Sequence, residues 1–453
     1  MQTQQLMQVD NRQFVIVGSG ISGYSALRYL LAQGLAVRLM DSRQIPPNAA
    51  EIKSLLPATA IHFGGFQQEW LEQSDVIVLS PGVSPQQPPI AKAVAQGVTL
   101  IGDVELFAQT CKKPYIAITG SNGKSTVTSL VTELLSSQGI KASMGGNIGT
   151  PVLDLLQQKE AEIYVLELSS FQLETCPSLA PVAATVLNIS DDHMDRHSSL
   201  DSYREVKDRI YERASYGVYA QDYAMEMHSH EKGVVHFGVD QQQNTEFTIA
   251  LRHQQRWIMQ SGEALIATTE LTLPGMMGEL NVLAALALVK PYIRDMNSVL
   301  SVLRSFKGLP HRCQIVTENA GVLWVNDSKG TNPGATVAAI ESFDRDMVLI
   351  LGGIHKGGSI EDLIKLIRQR VHSVILLGRD AAVFAQALKA HSCYSVPDLM
   401  AAVKLSDECA NLGDVVLFSP ACASFDMFAD YQQRGDSFMQ CVQTHIVGGQ
   451  HVV

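Results

Sequence analysis

Residues 115–126 read Y-I-A-I-T-G-S-N-G-K-S-T, and this stretch limits the fold more than any other in the chain. A β-branched run over 116–119 predicts a buried strand. It breaks at Gly120 and Gly123, then meets Lys124, Ser125 and Thr126. Apolar residues recur at Val127, Leu130, Val131, Leu134 and Leu135, the spacing of one helix face, and Gly139 stands where such a helix would stop. Strand, glycine turn, lysine, hydroxyl and helix, in that order, build a phosphate-binding loop. Glycines let backbone N–H groups converge on phosphate oxygens, and the helix N-terminus adds partial positive charge. Lys124 can reach terminal phosphates, and the Ser125 hydroxyl can ligate Mg²⁺. The general pattern has another glycine five residues before Gly123, where this chain has Ile118, so the loop is a shortened variant. An ordinary βα turn with a surface lysine is the plainer alternative.

At 453 residues the chain predicts three domains, taking about 150 residues for each. No apolar run approaches the ~18 residues of a membrane helix, so no membrane insertion is expected. The net charge of −11 argues against broad nucleic-acid binding. Residues 1–10 lack a charged-then-apolar signal pattern, and the seven cysteines form no C-x-x-C pair. A reducing cytoplasm without disulfides or a zinc site is expected, each cysteine acting as a small buried hydrophobe.

Alternation of strand and helix divides the chain into three α/β blocks, at 1–103, 104–308 and 309–453. The first opens with a strand over 14–17 and the turn Gly18-Ser19-Gly20-Ile21-Ser22-Gly23. A helix ending at Gly34 follows, then a strand over 36–40 ending at Asp41. This is the dinucleotide-binding, Rossmann-like layout with an acid roughly 20 residues past the turn. A further strand over 75–79 runs into Ser80-Pro81-Gly82, so Gly18, Asp41 and Gly82 could line one crevice. In the second block a strand over 163–168 carries Glu167, and a strand over 183–188 leads to Asp191-Asp192-His193-Met194-Asp195. A helix over 201–211 carries Lys207, and a helix returns over 281–290. Residues 234–273 alternate and read as a β-rich appendage. The third block starts at Gly308-Leu309-Pro310-His311-Arg312, with strands over 323–326, 347–351, 373–377 and 415–418.

Glu167 ends an apolar strand, where a carboxylate can hold Mg²⁺ against nucleotide phosphates or can merely be solvated. His193 could be a metal ligand or part of an N-cap. Lys207, Lys329 and Lys356 read by default as solvated surface lysines. Asn326-Asp327-Ser328-Lys329 follows a strand, where it could aim a carboxylate at a ribose or simply turn the chain.

Taken in order, T-G-S-N-G-K-S-T, G-G-N-I-G-T-P, E-L-S-S-F-Q, D-H-M-D and L-P-H-R resemble the Mur ligases of bacterial peptidoglycan synthesis over nearly the whole length. N-D-S-K-G-T-N and S-P-A-C-A-S-F-D resemble the D-glutamate-adding branch. The resemblance implies a Rossmann-like N-terminal domain, a central P-loop ATP-binding domain and a C-terminal Rossmann-like α/β domain. It implies ATP-driven amide formation between UDP-N-acetylmuramoyl-L-alanine and D-glutamate through an acyl phosphate, by a monomer. The first-block turn would then hold UDP through Gly18, Ile21, Ser22, Asp41, Ser42, Arg43 and Gly82, with Asn147 and His193 also touching that substrate. ATP would meet Gly120, Ser121, Asn122, Gly123, Lys124, Ser125, Thr126, Asn281, Arg312, Asp327 and Lys329. Thr331, Lys356, Ser424, Phe425 and Tyr431 would surround D-glutamate. Two Mg²⁺ sites are implied, Ser125 and Glu167 for one, His193 and a CO₂-carbamylated Lys207 for the other. Lys124, Glu167, His193 and Lys207 would be catalytic. The family's G-x-H-N before Asn281 is replaced by Gly275-Met276-Met277-Gly278, and Tyr431 stands where better-known relatives have phenylalanine.

Three other readings compete. A related amide ligase could take another amino acid or a folate acceptor. An oxidoreductase would use the first-block turn for a dinucleotide. A nucleotide-binding regulator would lack chemistry altogether.

Overall fold

A computed structural model of the chain describes residues 12–190, 196–197, 199–221, 233–239, 245–273 and 275–448. Three sheets follow one another along the chain. The first comprises β1 (Gln13–Val17), β2 (Ala36–Asp41), β3 (Ile61–Phe63), β4 (Val76–Leu79) and β5 (Thr99–Gly102), parallel in the order β3-β2-β1-β4-β5. The order reverses between β1 and β4, and a crevice opens at the carboxyl ends of strands where that happens. The glycine turn after β1 and Ser80-Pro81-Gly82 after β4 border it.

The central sheet has nine strands: β6 (Tyr115–Thr119), β7 (Ala142–Gly146), β8 (Ile163–Glu167), β9 (Ala183–Val186), β10 (Gly217–Ala220), β11 (Val234–Val239), β12 (Thr245–Arg252), β13 (Gln255–Gln260) and β14 (Glu263–Ala267). Their order is β14-β13-β12-β11-β10-β9-β6-β8-β7, with β6 flanked in parallel by β8 and β9. The phosphate loop, Glu167 and the residues after β9 therefore leave the sheet at the same edge. Residues 234–267 correct the expected appendage: β11 pairs in parallel with β10, Gly217 opposite Val234, so the region extends the central sheet. Alternation shows that one face is buried but not which strand lies alongside.

Helix Lys124–Ser137 packs beneath this sheet, with Val127, Leu130, Val131, Leu134 and Leu135 buried. Helix Gly275–Val289 lies against it and is apolar nearly all round, burying Val282 through Val289. It starts six residues before the expected position. Each such aliphatic side chain removed from water contributes about 1.5–3 kcal/mol before entropy is counted.

The third sheet comprises β15 (Gln314–Asn319), β16 (Val322–Asn326), β17 (Met347–Leu351), β18 (Val371–Leu376), β19 (Cys393–Ser395) and β20 (Val415–Phe418), in the order β15-β16-β20-β17-β18-β19. β17 reads M-V-L-I-L and is fully buried, as a parallel strand covered on both faces must be. β20 inserts between β16 and β17. That insertion brings together the segments after Asn326, Leu351 and Phe418, which lie far apart in sequence. No helix among the described residues is long and apolar enough to cross a membrane. All seven cysteines are free, but only Cys176 and Cys422 are buried; the other five are partly exposed.

Candidate active site

The first crevice is lined by Gly18, Ile21, Ser22, Asp41, Ser42, Arg43 and Gly82, and across the domain seam by Asn147 and Gln172. Helix Ile21–Ala32 begins so close to β1 that a Cβ on Gly23 would stand 1.9 Å from the Gly18 carbonyl oxygen. Only glycine permits that approach. Asp41 is turned into the structure. Its Oδ2 accepts from the Ser19 N–H (2.8 Å) and hydroxyl (2.7 Å), and both oxygens accept from Arg43. Burial alone would raise its pKa, but the bonds from Arg43 and then Ser19 hold the carboxyl well below the usual range. Asp41 thus fixes the turn as a permanent anion.

The phosphate loop is held by a residue the sequence reading passed over. Asn188, two residues past β9, accepts from the Asn122 N–H through Oδ1 (2.8 Å) and donates to the Asn122 carbonyl (3.1 Å). Its own carbonyl accepts from the Ser121 N–H (2.9 Å). Gly123 takes φ +83°, and its missing Cβ leaves room for the Asn281 amide oxygen, which would lie 2.5 Å from it. Lys124 Nζ donates to the carbonyls of Gly120 (2.7 Å) and Ser121 (2.8 Å), so the ammonium sits over the loop. The Ser125 hydroxyl accepts from Arg312 Nη2 at 2.7 Å.

Glu167, at the end of β8, is 2 % exposed. Its Oε1 accepts from Asn147 Nδ2 at 2.8 Å, and its Oε2 is buried with no hydrogen-bond partner among the described residues. A buried carboxylate oxygen without a donor is costly unless a cation completes it. This donor set, a hard oxygen beside a serine hydroxyl and a phosphate loop, fits Mg²⁺.

Lys207 overturns its default. It is 1 % exposed, donates to Thr119 Oγ1 (3.1 Å) and the Gly120 carbonyl (3.0 Å), and lies 4.6 Å from the centre of the Tyr203 ring. Helix Leu200–Asp208, capped by Ser199, delivers it there. His193 lies outside the described residues.

A cleft of about 790 Å³ joins the central and third domains. Lys124, Ser125, Asn147 and Glu167 form one wall; His311, Arg312, Lys329, Thr331, Lys356 and Tyr431 form the other. Next to the loop, a narrower pocket is lined by Asn122, Gly123, Thr126, Asn281, Arg312, Asp327 and Lys329. Lys329 is the second lysine misread as surface. It is largely buried, its Nζ lies 3.9 Å from the centre of the Tyr431 ring, and burial, followed by the Arg312 charge, lowers its pKa to about 8. Asp327 is buried; this raises its pKa to about 6 against hydrogen bonds from the Ser419 hydroxyl (2.7 Å) and the Cys313 N–H (3.1 Å). Lys356 is exposed on the rim. Ser424 is buried and Phe425 is 71 % exposed, and neither borders the cleft. Their loop is folded on itself, Met427 and Phe428 both donating to the Ser424 carbonyl.

Arg434 was also missed. It is 3 % exposed and donates to the Ser328 carbonyl (2.7 Å), the Ser328 hydroxyl (3.0 Å) and the Cys422 carbonyl (3.0 Å). It braces the two third-domain motifs against each other, and an arginine in a polar helix carries no sequence signal for that.

A phosphate-loop domain that meets a glycine-turn domain at one cleft and a third α/β domain at the next has the architecture of an ATP-type ligase. Sequence profiles match three consecutive regions: Mur ligase MurD-like, N-terminal domain, at 12–102; Mur ligase middle domain, at 118–289; and Mur ligase, glutamate ligase domain, at 311–422. The chain belongs to the Mur ligase family. Within it, the chain is 42 % identical over 446 residues to the UDP-N-acetylmuramoylalanine–D-glutamate ligase of Pseudoalteromonas translucida, covering 96 % of this chain and 98 % of that one. The Marinobacter nauticus protein of the same name is 43 % identical, covering 96 % and 99 %. Among solved structures, the MurF ligase of Thermotoga maritima in complex with ADP superposes with a TM-score of 0.58 at 15 % identity, covering 97 % of this chain and 96 % of that one, which speaks to the fold.

Proposed function

We propose that this chain is an ATP-dependent ligase that joins D-glutamate to UDP-N-acetylmuramoyl-L-alanine in peptidoglycan precursor synthesis. The observation that carries the reading is the continuity of the clefts. Asn147 and Gly149 line both the first-domain crevice and the central cleft, so one extended substrate can lie with its diphosphate at the glycine turn and its carboxylate at the phosphate loop. The names of the full-length relatives supply the acceptor amino acid.

The substrate carboxylate attacks the γ-phosphorus of ATP; the bond to the β,γ-bridging oxygen breaks, ADP leaves and an acyl phosphate forms. The D-glutamate amine then attacks the acyl carbon, loses a proton, and phosphate departs with the C–O electron pair. Free carboxylates do not give amides this way because oxide is too poor a leaving group. Lys124 and Arg312 face the charge that builds on the transferring phosphoryl group. Asn281 and Asp327 hold the nucleoside side, and Lys356, Thr331 and Tyr431 receive the amino acid, Lys356 meeting a carboxylate. Ser125 and Glu167 would hold a first Mg²⁺; His193 and a carbamylated Lys207 would hold a second. Bound there, Mg²⁺ neutralises phosphate charge. An ammonium at Lys207 would repel it, whereas a carbamate reverses the sign and adds hard oxygens. The working parts divide at 103/104 and 308/309. The proposal includes a monomer acting in the cytoplasm, a compartment that the seven free thiols suit.

The test is phosphate release by purified protein with ATP, Mg²⁺, UDP-N-acetylmuramoyl-L-alanine and a panel of amino acids. Release is expected with D-glutamate. Release that ignores D-glutamate, or that follows another amino acid, defeats the reading.

A further inference from the structure

The first-domain crevice has walls from two domains, so its shape depends on whatever holds them together. One wall is the start of helix Ile21–Ala32, carrying Ile21 and Ser22; the other is the loop carrying Asn147, Gly149 and Pro151. Directly behind the crevice, both walls meet at Asp154, in the short helix Val152–Leu155 that follows Pro151. Asp154 Oδ1 accepts from the Ser25 hydroxyl at 2.8 Å, and Oδ2 accepts from Arg28 Nη2 at 2.6 Å. Ser25 and Arg28 lie one and two turns beyond Ile21. Arg28 is itself steadied by the Tyr24 ring, 5.1 Å from its guanidinium carbon.

We infer that Asp154 is a positioning residue for the nucleotide-bearing substrate: it clamps the diphosphate wall to the Asn147 wall. The Asn147 wall is itself fixed on the central sheet, its side chain donating to Glu167 Oε1 and its N–H to the Glu167 backbone carbonyl, both at 2.8 Å, so Asp154 sets where the first domain lies against a wall that is held independently. An exposed ion pair alone would contribute little. Arg28 is 41 % exposed, so its half of the contact is of that kind; the other half, from the buried Ser25 hydroxyl to a carboxylate only 23 % exposed, is a charge-assisted bond for which water competes less.

The inference rests on reading the crevice as the uridine-diphosphate site, and the test separates the two. UDP-N-acetylmuramoyl-L-alanine is titrated calorimetrically into wild type, Asp154→Asn, Asp154→Ala, Arg28→Ala and the Arg28→Ala/Asp154→Ala double variant. KM values for both substrates and thermal midpoints are taken alongside. Expected in Asp154→Ala is a loss of substrate affinity of about five-fold or more, with a matching rise in its KM. KM for ATP should stay within about two-fold, and the double variant should be no weaker than Asp154→Ala, as for partners in one contact. Asp154→Asn, which keeps an acceptor for Ser25, should fall between and guards against a folding defect in the alanine variant. Unchanged substrate affinity in folded Asp154→Ala and Asp154→Asn overturns the inference alone. Equal rises in both KM values, the mark of general loosening, do the same. A wild-type protein that fails to bind the uridine nucleotide overturns the crevice assignment, and the inference with it.

Discussion

Arg312 Nη2 donates to the Ser125 hydroxyl at 2.7 Å, across 187 residues and from the third domain into the second. Ser125 directly follows Lys124 in the phosphate loop, so the third domain grips the loop at its reacting end. Arg312→Lys keeps a charge but loses the planar fork. The expected outcome is a rise of about ten-fold or more in KM for ATP, with substrate binding in the first-domain crevice unchanged. Steady-state kinetics with each substrate varied will check it, and an unaltered KM for ATP would refute the role.

Lys207 is buried against Thr119 and Gly120 at the base of the same loop. Lys207→Ala should be nearly inactive and partly restored by formate or acetate, which can supply the missing carboxylate oxygens. Phosphate release with and without the added acid is the measurement; full activity without it would mean that no carbamate is required.

The ammonium of Lys329 titrates near pH 8 rather than 10.5 because burial, then the Arg312 charge, disfavours it. Between those two values the unfolded chain holds a proton that the folded chain has released, so folded stability rises with pH across that window. Below about pH 8 the burial cost is fully felt. Lys329→Met should therefore be more stable than wild type below pH 8, the difference fading toward pH 10.5 in urea midpoints. ADP affinity of the wild type should weaken from about pH 8 upward, and the methionine variant should lack that step.

Gly123 occupies a left-handed conformation against Asn281. Gly123→Ala adds backbone strain of about 1–2 kcal/mol and drives a methyl into the Asn281 amide. ADP binding should drop about ten-fold or more, while the uridine substrate still binds. Calorimetry with both ligands decides it, and normal ADP affinity would show the loop tolerating the change.

The strands at 347–351 and 415–418, and the buried helix face at Val127, Leu130, Val131, Leu134 and Leu135, were legible because each is written in nearby residues: an apolar run, or a glycine turn followed by a periodic face. The glycine turns were legible for the same reason. The sheet assignment of residues 234–267 was not, since nothing in their own pattern marks β10 as the neighbouring strand. Lysines show the limit most clearly. Lys207, Lys329 and Lys356 carry the same default in sequence, yet one is sealed in the core, one is largely buried against an aromatic ring and one stays on the rim.

What the sequence by itself determined was local chemistry: which turns need glycine, where a helix begins beneath a phosphate, and which motif order matches the Mur ligases. Tertiary structure decided which of those parts share a site. β20 slides between β16 and β17, Asn188 returns to hold the loop after β6, and Asp154 and Arg312 reach across domain seams. Burial, hydrogen bonding and charge complementarity between residues from 66 to 187 positions apart fix such contacts, and none of these leaves a periodicity or a spacing in the chain itself.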